Sequence, residues 1–359
     1  MQCFHLLRRA AAADADLAVD LVDAKGVGAG ASGAAAGLLH PLAPRGDRLL
    51  WRGREGVEAT LRTLEAAEAF AAAPLARRFG VVKPAGGGPG QVRWRGAAAA
   101  GTLPAEAVPL GRLEAVQLLG AAWRPPEGLP ADGAVGLHVA GGATVKTEAY
   151  LEALWGCAEA LAAEHGLRAR LRLAQVTSLA ELRAEGYDHV VLATGAATGA
   201  LPEMARLHLE LCTGHVLEMA SPAVAARYPP GAPSILGPCY VAPQGDGATV
   251  MVGATKAWGV CEPEEAMDAG MEVDEAAAAA ATAELLGKAE RLGADLSKWE
   301  VARVRAGVRA SGPGGGGRRL PCVGAVPGLN GWATLLVGLG ARGLVSDGTP
   351  FHRRAQDRD

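Results

Sequence analysis

The stretch from Asp20 to Pro41, DLVDAKGVGAGASGAAAGLLHP, holds the residues whose types and spacing point most directly to chemistry. An apolar run from Leu17 to Val22 alternates like a buried strand and ends on an acid, Asp23. Behind it come Gly26, Gly28, Gly30, Ala31, Ser32 and Gly33, and then alanines closing on Gly37 and Leu38. Residues this small let a backbone approach a bulky anion, and glycine takes positive φ without strain. An acid at a strand end can hold the two hydroxyls of an adenosine ribose. The pattern reads as a nucleotide cofactor site. The plainer reading is composition alone, since the chain carries 50 glycines in 359 residues.

The chain that must position these residues is long enough for one large or two interleaved domains with a substantial core. Half of it is apolar, 20% is charged and the formal net charge is −3, which argues against a broadly basic nucleic-acid binder while leaving room for a tRNA docked on a local patch. Six cysteines, at 3, 157, 212, 239, 261 and 322, form no C-x-x-C pair and have no histidine at zinc spacing, so they read as reduced thiols and no metal is expected. No apolar run approaches the roughly 18 to 20 residues that span a bilayer. The N-terminal residues make a poor targeting peptide, and a cytoplasmic protein is expected, an organellar one being the alternative.

Helical spacing of Val57, Leu61, Leu64 and Phe70 predicts one long helix or a broken pair within 49–79, and KTEAYLEALWGCAEALAAEHG predicts another helix from Thr147, read as its N-cap, to Gly166. The segment around Val92 and Trp94 reads as strand and turn, and GAVGLHVAGGATV as a short hairpin. LRARLRLAQVTSL predicts a strand carrying Val176, and Asp188 to Leu192 a second one that runs into Ala193, Thr194, Gly195 and Ala196. LHLELCTGHVLEM alternates as a strand, Tyr240 to Lys256 reads as a hairpin turning at Gln244 to Gly247, and MEVDEAAAAAATAELLGKAERLG is a helix ending near Gly293.

Five short motifs, in order, resemble the D-amino acid oxidase family of FAD-dependent oxidoreductases, and its glycine-oxidase-like members in particular. They are GASGAAAGLLHP, the VVLATGA strand end, VMVGAT, the strand Ala306 to Arg309 with the Leu320 to Gly324 segment, and the closing GLGARGL turn from Gly338 to Leu344. The wording of the last stretch is similar to the FAD domain of members that mature a thiouridine base of tRNA. The resemblance implies an α/β fold in which an FAD-binding Rossmann-like domain is interleaved with a mixed or antiparallel-sheet substrate domain. Residues 1–48, 147–205 and 318–347 would form the first, residues 49–146 and 206–317 the second, and 348–359 a disordered tail. The family's first strand and G-x-G-x-x-G turn are expected before Asp20, and no such segment is found there.

The same resemblance implies that FAD is contacted by Asp23, Ala31, Ser32, Gly33, Gly37, Leu38, Val176, Thr194, Gly195 and Ala196, and by Gly338, Gly340, Ala341, Arg342, Gly343 and Leu344. The chemistry implied is hydride transfer from a C–N bond of an amine or amino-acid-like substrate to the flavin, which needs no protein base in principle. Arg309 is the candidate for the substrate carboxylate, because a strand arginine can take it bidentately. Arg342 is a second catalytic candidate, as positive charge near the flavin, and His40 a third residue placed near the ring. Three other readings stand beside this one: a truncated or degenerate chain that has lost its phosphate clamp and binds no FAD, an oxidase that modifies a wobble uridine of tRNA, and an NAD-dependent dehydrogenase. The sequence does not fix the oligomeric state.

Overall fold

The protein is described by a computed structural model over residues 1–85, 89–120, 123–125, 133–221, 227–259, 262–263, 273–315 and 318–346. The tail expected at 348–359 lies outside the described residues. The largest element is a nine-stranded sheet with strand order Ala257–Trp258, Glu210–Ala220, Thr249–Gly253, Tyr240–Gln244, Ser234–Leu236, Val81–Pro84, Gly136–Val139 and Val108–Leu110. Glu300–Ser311 pairs antiparallel with nearly the whole of Glu210–Ala220. Side chains alternate across these strands. Leu217, Met219, Ile235, Val241 and Val252 face one way and pack on Leu285, Ala289 and Leu292 of the helix Glu275–Arg291. That helix starts where Asp274 accepts the Ala277 amide at 2.7 Å, and Gly293 follows it with φ +80°.

The opposite face of the sheet turns toward the glycine- and alanine-rich segment. Val216, Ala242, Met251 and Ala254 pack there against Ala36. Around that segment lie three smaller sheets. Ala18–Asp23 pairs parallel with Arg168–Leu173; Val190–Leu192 and Cys322–Ala325 flank Ala333–Val337; Leu38–Leu39 and Ala76–Arg77 flank Ala143–Val145. The helices Gln2–Ala12, Gly53–Ala71 and Thr147–Glu164 share one core, with Leu7, Leu64, Tyr150 and Leu154 essentially buried and Tyr150 Oη 2.6 Å from Thr63 Oγ1. Tyr187 ties two of the small sheets together. Its hydroxyl donates to Asp20 Oδ2 at 2.5 Å, and its carbonyl accepts Trp332 Nε1 at 2.7 Å. Hydrogen bonds from Arg170 above all hold the Asp20 carboxyl below the usual carboxylate range.

Several sequence expectations meet corrections here. The strand Ala18–Asp23 is half-exposed rather than buried, because it has a single ladder partner. The strand expected to carry Val176 stops at Leu173, since its partner ends at Asp23 and the ladder has nothing left to pair. Val176 instead packs beside Leu179 and Leu192, and Ser178 caps the next helix by accepting the Ala180 amide. The second predicted strand spans Val190–Leu192 rather than beginning at Asp188. Gly136–Val139 and Ala143–Val145 do not form a hairpin: the first joins the large sheet and the second a small one. The segment read as strand around Trp94 is a helix, Pro89–Ala99, with Trp94 buried against Val81 and Leu137. Thr147 lies inside its helix, with Lys146 at the N-cap.

Gly37 shows how tightly the glycine-rich segment is held. Its φ is +72°, and a Cβ there would fall 1.9 Å from the Val145 carbonyl oxygen, a backbone atom that the ladder fixes in place. Gly166 also has positive φ, +67°, yet a Cβ there meets nothing. The expected outcome is that Gly166→Ala costs about 1 kcal/mol, the steric penalty of the conformation alone. Gly37→Ala should cost well over about 2 kcal/mol, because clash adds to strain. Urea unfolding midpoints of the two variants check the ranking.

Candidate functional site

One strand, Glu300–Ser311, arranges the site through four alternate residues that share a face. Arg305 donates Nε to Glu218 at 2.9 Å, and its Nη1 reaches Glu148 at 2.9 Å and the Gly33 carbonyl at 3.4 Å. Gly307 is where the segment Ala31–Ala34 presses on the strand, since a Cβ there would lie 3.1 Å from Ala31 Cα. Arg309 comes next. Ser311 then meets the C-terminal turn, with Gly340 close enough that an added Cβ would lie 3.0 Å from Ser311 Oγ, and Ser311 bridges to Leu339. Arg309 therefore sits between the docking points of the two glycine-rich segments singled out in the sequence.

The two arginines on this face differ in partners. Arg305 is neutralised by two carboxylates. The half-buried Arg309 donates Nη2 to the Thr255 carbonyl at 3.2 Å and approaches Cys212 Sγ at 3.9 Å, and among the described residues no carboxylate pairs with it. Its guanidinium lies over Gly214, where any Cβ would be 2.6 Å from Nη2. Tyr240 stands nearby on the same face. Burial pushes its phenol well above the usual tyrosine range, with the Arg309 charge pulling the other way.

The Ala31–Gly37 segment is held by its carbonyls. Thr147 Oγ1 donates to Ala35 O at 2.8 Å and lies 3.3 Å from Gly33 O, and Gln244 Nε2 donates to Ala36 O at 3.3 Å. A Cβ on Gly33 would strike the Gly28 carbonyl at 1.9 Å, so only glycine fits. Asp23 Oδ1 accepts the amides of Lys25 and Gly26 at 2.9 Å each, which spends one carboxylate oxygen on the turn and orients the other. Thr194 starts a 3₁₀ turn, Gly195–Ala200, and its Oγ1 is 2.9 Å from Thr198 Oγ1. Ala196 packs with Leu211, Val308 and Ala310, on the face of the strand opposite Arg309.

In the C-terminal turn, Gly338 and Gly340 have φ of +75° and +60°; Ala341 and Arg342 continue a short 3₁₀ turn, and Gly343 and Leu344 begin a helix of four residues. Thr60 Oγ1 donates to the Leu344 carbonyl and anchors it. Arg342 is half-buried; burial and the neighbouring Arg48 lower its pKa. His40 lies within electrostatic reach of Arg342 and Lys83, with its Nδ1 accepting the Leu42 amide at 3.3 Å. A surface cleft lined by His208, Glu210, Trp258 and Glu262 contains none of the predicted site residues.

Residues 4–346 match the model of a family described as DAO, FAD dependent oxidoreductase. The chain belongs to that family. No curated protein matches it in sequence. Among solved structures it resembles iminodiacetate oxidase from Chelativorans sp. BNC1, at 20% identity and TM-score 0.65, covering 96% of this chain and 88% of that one. It also resembles glycine oxidase from Geobacillus kaustophilus, at 19% identity and TM-score 0.65, over 96% and 86%. L-proline dehydrogenase from P. horikoshii is similar at 13% identity and TM-score 0.61, over 96% and 86%. At such identities the likeness is one of fold, a mixed α/β architecture with several sheets.

Tyr240, Gly214, Gln244 and Thr147, which the structure places around Arg309 and the Ala31–Gly37 segment, were not singled out as site residues by the sequence. Tyr240, one of four tyrosines, heads a predicted hairpin strand, but nothing local told which way it faces.

Burial, then the charges of Lys83 and Arg342, lower the His40 pKa from about 6.5 in the unfolded chain to about 4. The folded state thus favours neutral imidazole, so stability is full above the unfolded value and is lost as pH falls from about 6.5 toward about 4. His40→Gln should lose less stability than the parent between pH 8 and pH 5, as read by urea unfolding at the two pH values.

Proposed function

We propose that this protein binds FAD and oxidises a C–N bond of an amine or amino acid carrying a carboxylate. The observation that carries the reading is Arg309, a half-buried guanidinium with no carboxylate partner among the described residues, set between the Ala31–Gly37 segment and the Gly338–Leu344 turn. A charge left in such a place costs free energy unless an anion completes it.

The residues present fit the cofactor. The Gly33, Ala35 and Ala36 carbonyls are held by Arg305, Thr147 and Gln244, so these three acceptors are engaged by the protein and would not face a diphosphate. Ala31, Ser32, Gly33, Gly37 and Leu38 would hold it there, Asp23 at its ribose, and Thr194, Gly195 and Val176 along the nucleotide. Gly338, Gly340, Ala341, Arg342, Gly343 and Leu344 would hold its far end. Bound FAD would supply the two-electron acceptor for a hydride leaving the substrate carbon.

The chain's own residues orient and screen. Arg309 takes the substrate carboxylate through two N–H donors, and the Tyr240 hydroxyl, protonated throughout the working range, donates a further hydrogen bond. Gly214 and the Thr255 carbonyl fix the guanidinium so that little is reorganised on binding. Arg342 adds positive charge at the C-terminal turn. The compounds after which the structural neighbours are named, glycine, L-proline and iminodiacetate, all carry a carboxylate beside the amine, which supports the same class here.

Arg309→Ala should raise the apparent KM for an amino-acid substrate at least about a hundredfold while FAD is retained, since charge-assisted hydrogen bonds contribute about 1.5 to 3 kcal/mol each. Steady-state kinetics with the flavin content measured on the same samples check it; an unchanged KM removes Arg309 from the site.

A further inference from the structure

Lys83 stands out among the basic side chains because it is largely covered and has no role so far. It sits in the strand Val81–Pro84, with its stem against Gly46 and its ladder partner Leu137. Its ammonium makes no hydrogen bond or ion pair with any described residue. His40 lies within electrostatic reach of it and, separately, of the Arg342 guanidinium. Among the described residues no carboxylate pairs with Lys83 or Arg342.

The register of the large sheet relates Lys83 to the proposed substrate anchor. Ile235 pairs with Val82, and continuing that register sets Leu236 beside Lys83. Leu236 pairs with Tyr240, Tyr240 with Gly253, and Gly253 with Val216. Residues in such a lateral row point to one face, so Lys83 and Tyr240 share the face that carries Arg309. Two ladder steps place their backbones about 10 Å apart. The row between them is apolar: Leu236 shares it, and Leu38 packs against both the Lys83 side of the sheet and the Tyr240 side. One cationic station lies at Arg309 and Tyr240, a second at Lys83 beside His40, and apolar side chains stand between them.

We infer that this second station binds a second acidic group, so that the substrate is an amine bearing two anionic groups separated by a short carbon chain. The inference deepens the reading given above and rests on it: Arg309 takes the carboxylate next to the amine, and Lys83 the distal one. His40, held neutral by its surroundings, can donate a hydrogen bond from its other ring nitrogen to the same group without adding a charge that would repel Lys83.

The test is calorimetric titration of the FAD-saturated protein with glutarate and with valerate, which have equal carbon counts and no amine to oxidise. The expected result is glutarate binding at least about tenfold tighter than valerate, the difference one charge-assisted contact gives. Lys83→Met should abolish the preference and leave valerate affinity unchanged, and Lys83→Arg should retain it. Equal affinities in the parent protein would overturn the inference while leaving Arg309 as a carboxylate anchor. An equal loss for both acids in Lys83→Met would make Lys83 a structural residue and also overturn it. Binding of neither acid by the parent would remove the Arg309 reading, and the second station with it.

Discussion

Alternation along a single β-strand is the constraint on which the rest of this molecule depends. Because side chains of Glu300–Ser311 point to one face at every second position, Arg305, Gly307, Arg309 and Ser311 are locked into a common direction. The two glycines of the ladder, Gly214 and Gly307, open that face. One leaves room for the Arg309 guanidinium and the other lets the Ala31–Ala34 turn come down onto the sheet. A one-residue slip of this strand would turn Arg309 to the opposite face, where Ala196, Leu211 and Val308 pack. Pairing with Glu210–Ala220 over eleven residues resists that slip, even across the irregularity between Glu218 and Met219.

Charge is distributed along the same face in a way that separates structure from function. Arg305 is saturated by Glu218 and Glu148 and holds the Gly33 carbonyl, so its work is positional. Arg309, Arg342 and Lys83 carry similar charge without a matching acid among the described residues. Buried or half-buried charges are ordinarily paired, and these three are where the proposed anionic ligands would complete the protein.

How much of this was legible beforehand depended on the range of the interaction concerned. Glycine motifs identified the two segments that meet the strand, and Arg309, the proposed carboxylate anchor, was singled out because it lies in one of the family motifs. The helices Gly53–Ala71, Thr147–Glu164 and Glu275–Arg291 were visible because their apolar spacing is a local property. What stayed hidden was set by tertiary partners. Thr147 looks like a cap by type, yet it donates to Ala35 from inside its helix. Trp94 alternates with Val92 as a strand would, but the pocket formed by Val81 and Leu137 draws it into a helix. Val176 follows a strand pattern that ends when its partner does. Tyr240 and Lys83 acquire meaning only through sheet register, which no single segment encodes.

The most direct test of the account is the absorbance spectrum of the purified protein after incubation with FAD and removal of free flavin by desalting. The account predicts retained flavin bands near about 370 and 450 nm, in roughly one-to-one proportion with protein. A colourless protein that is nevertheless folded would contradict it, leaving Arg309 and its neighbours without the cofactor their arrangement is proposed to serve.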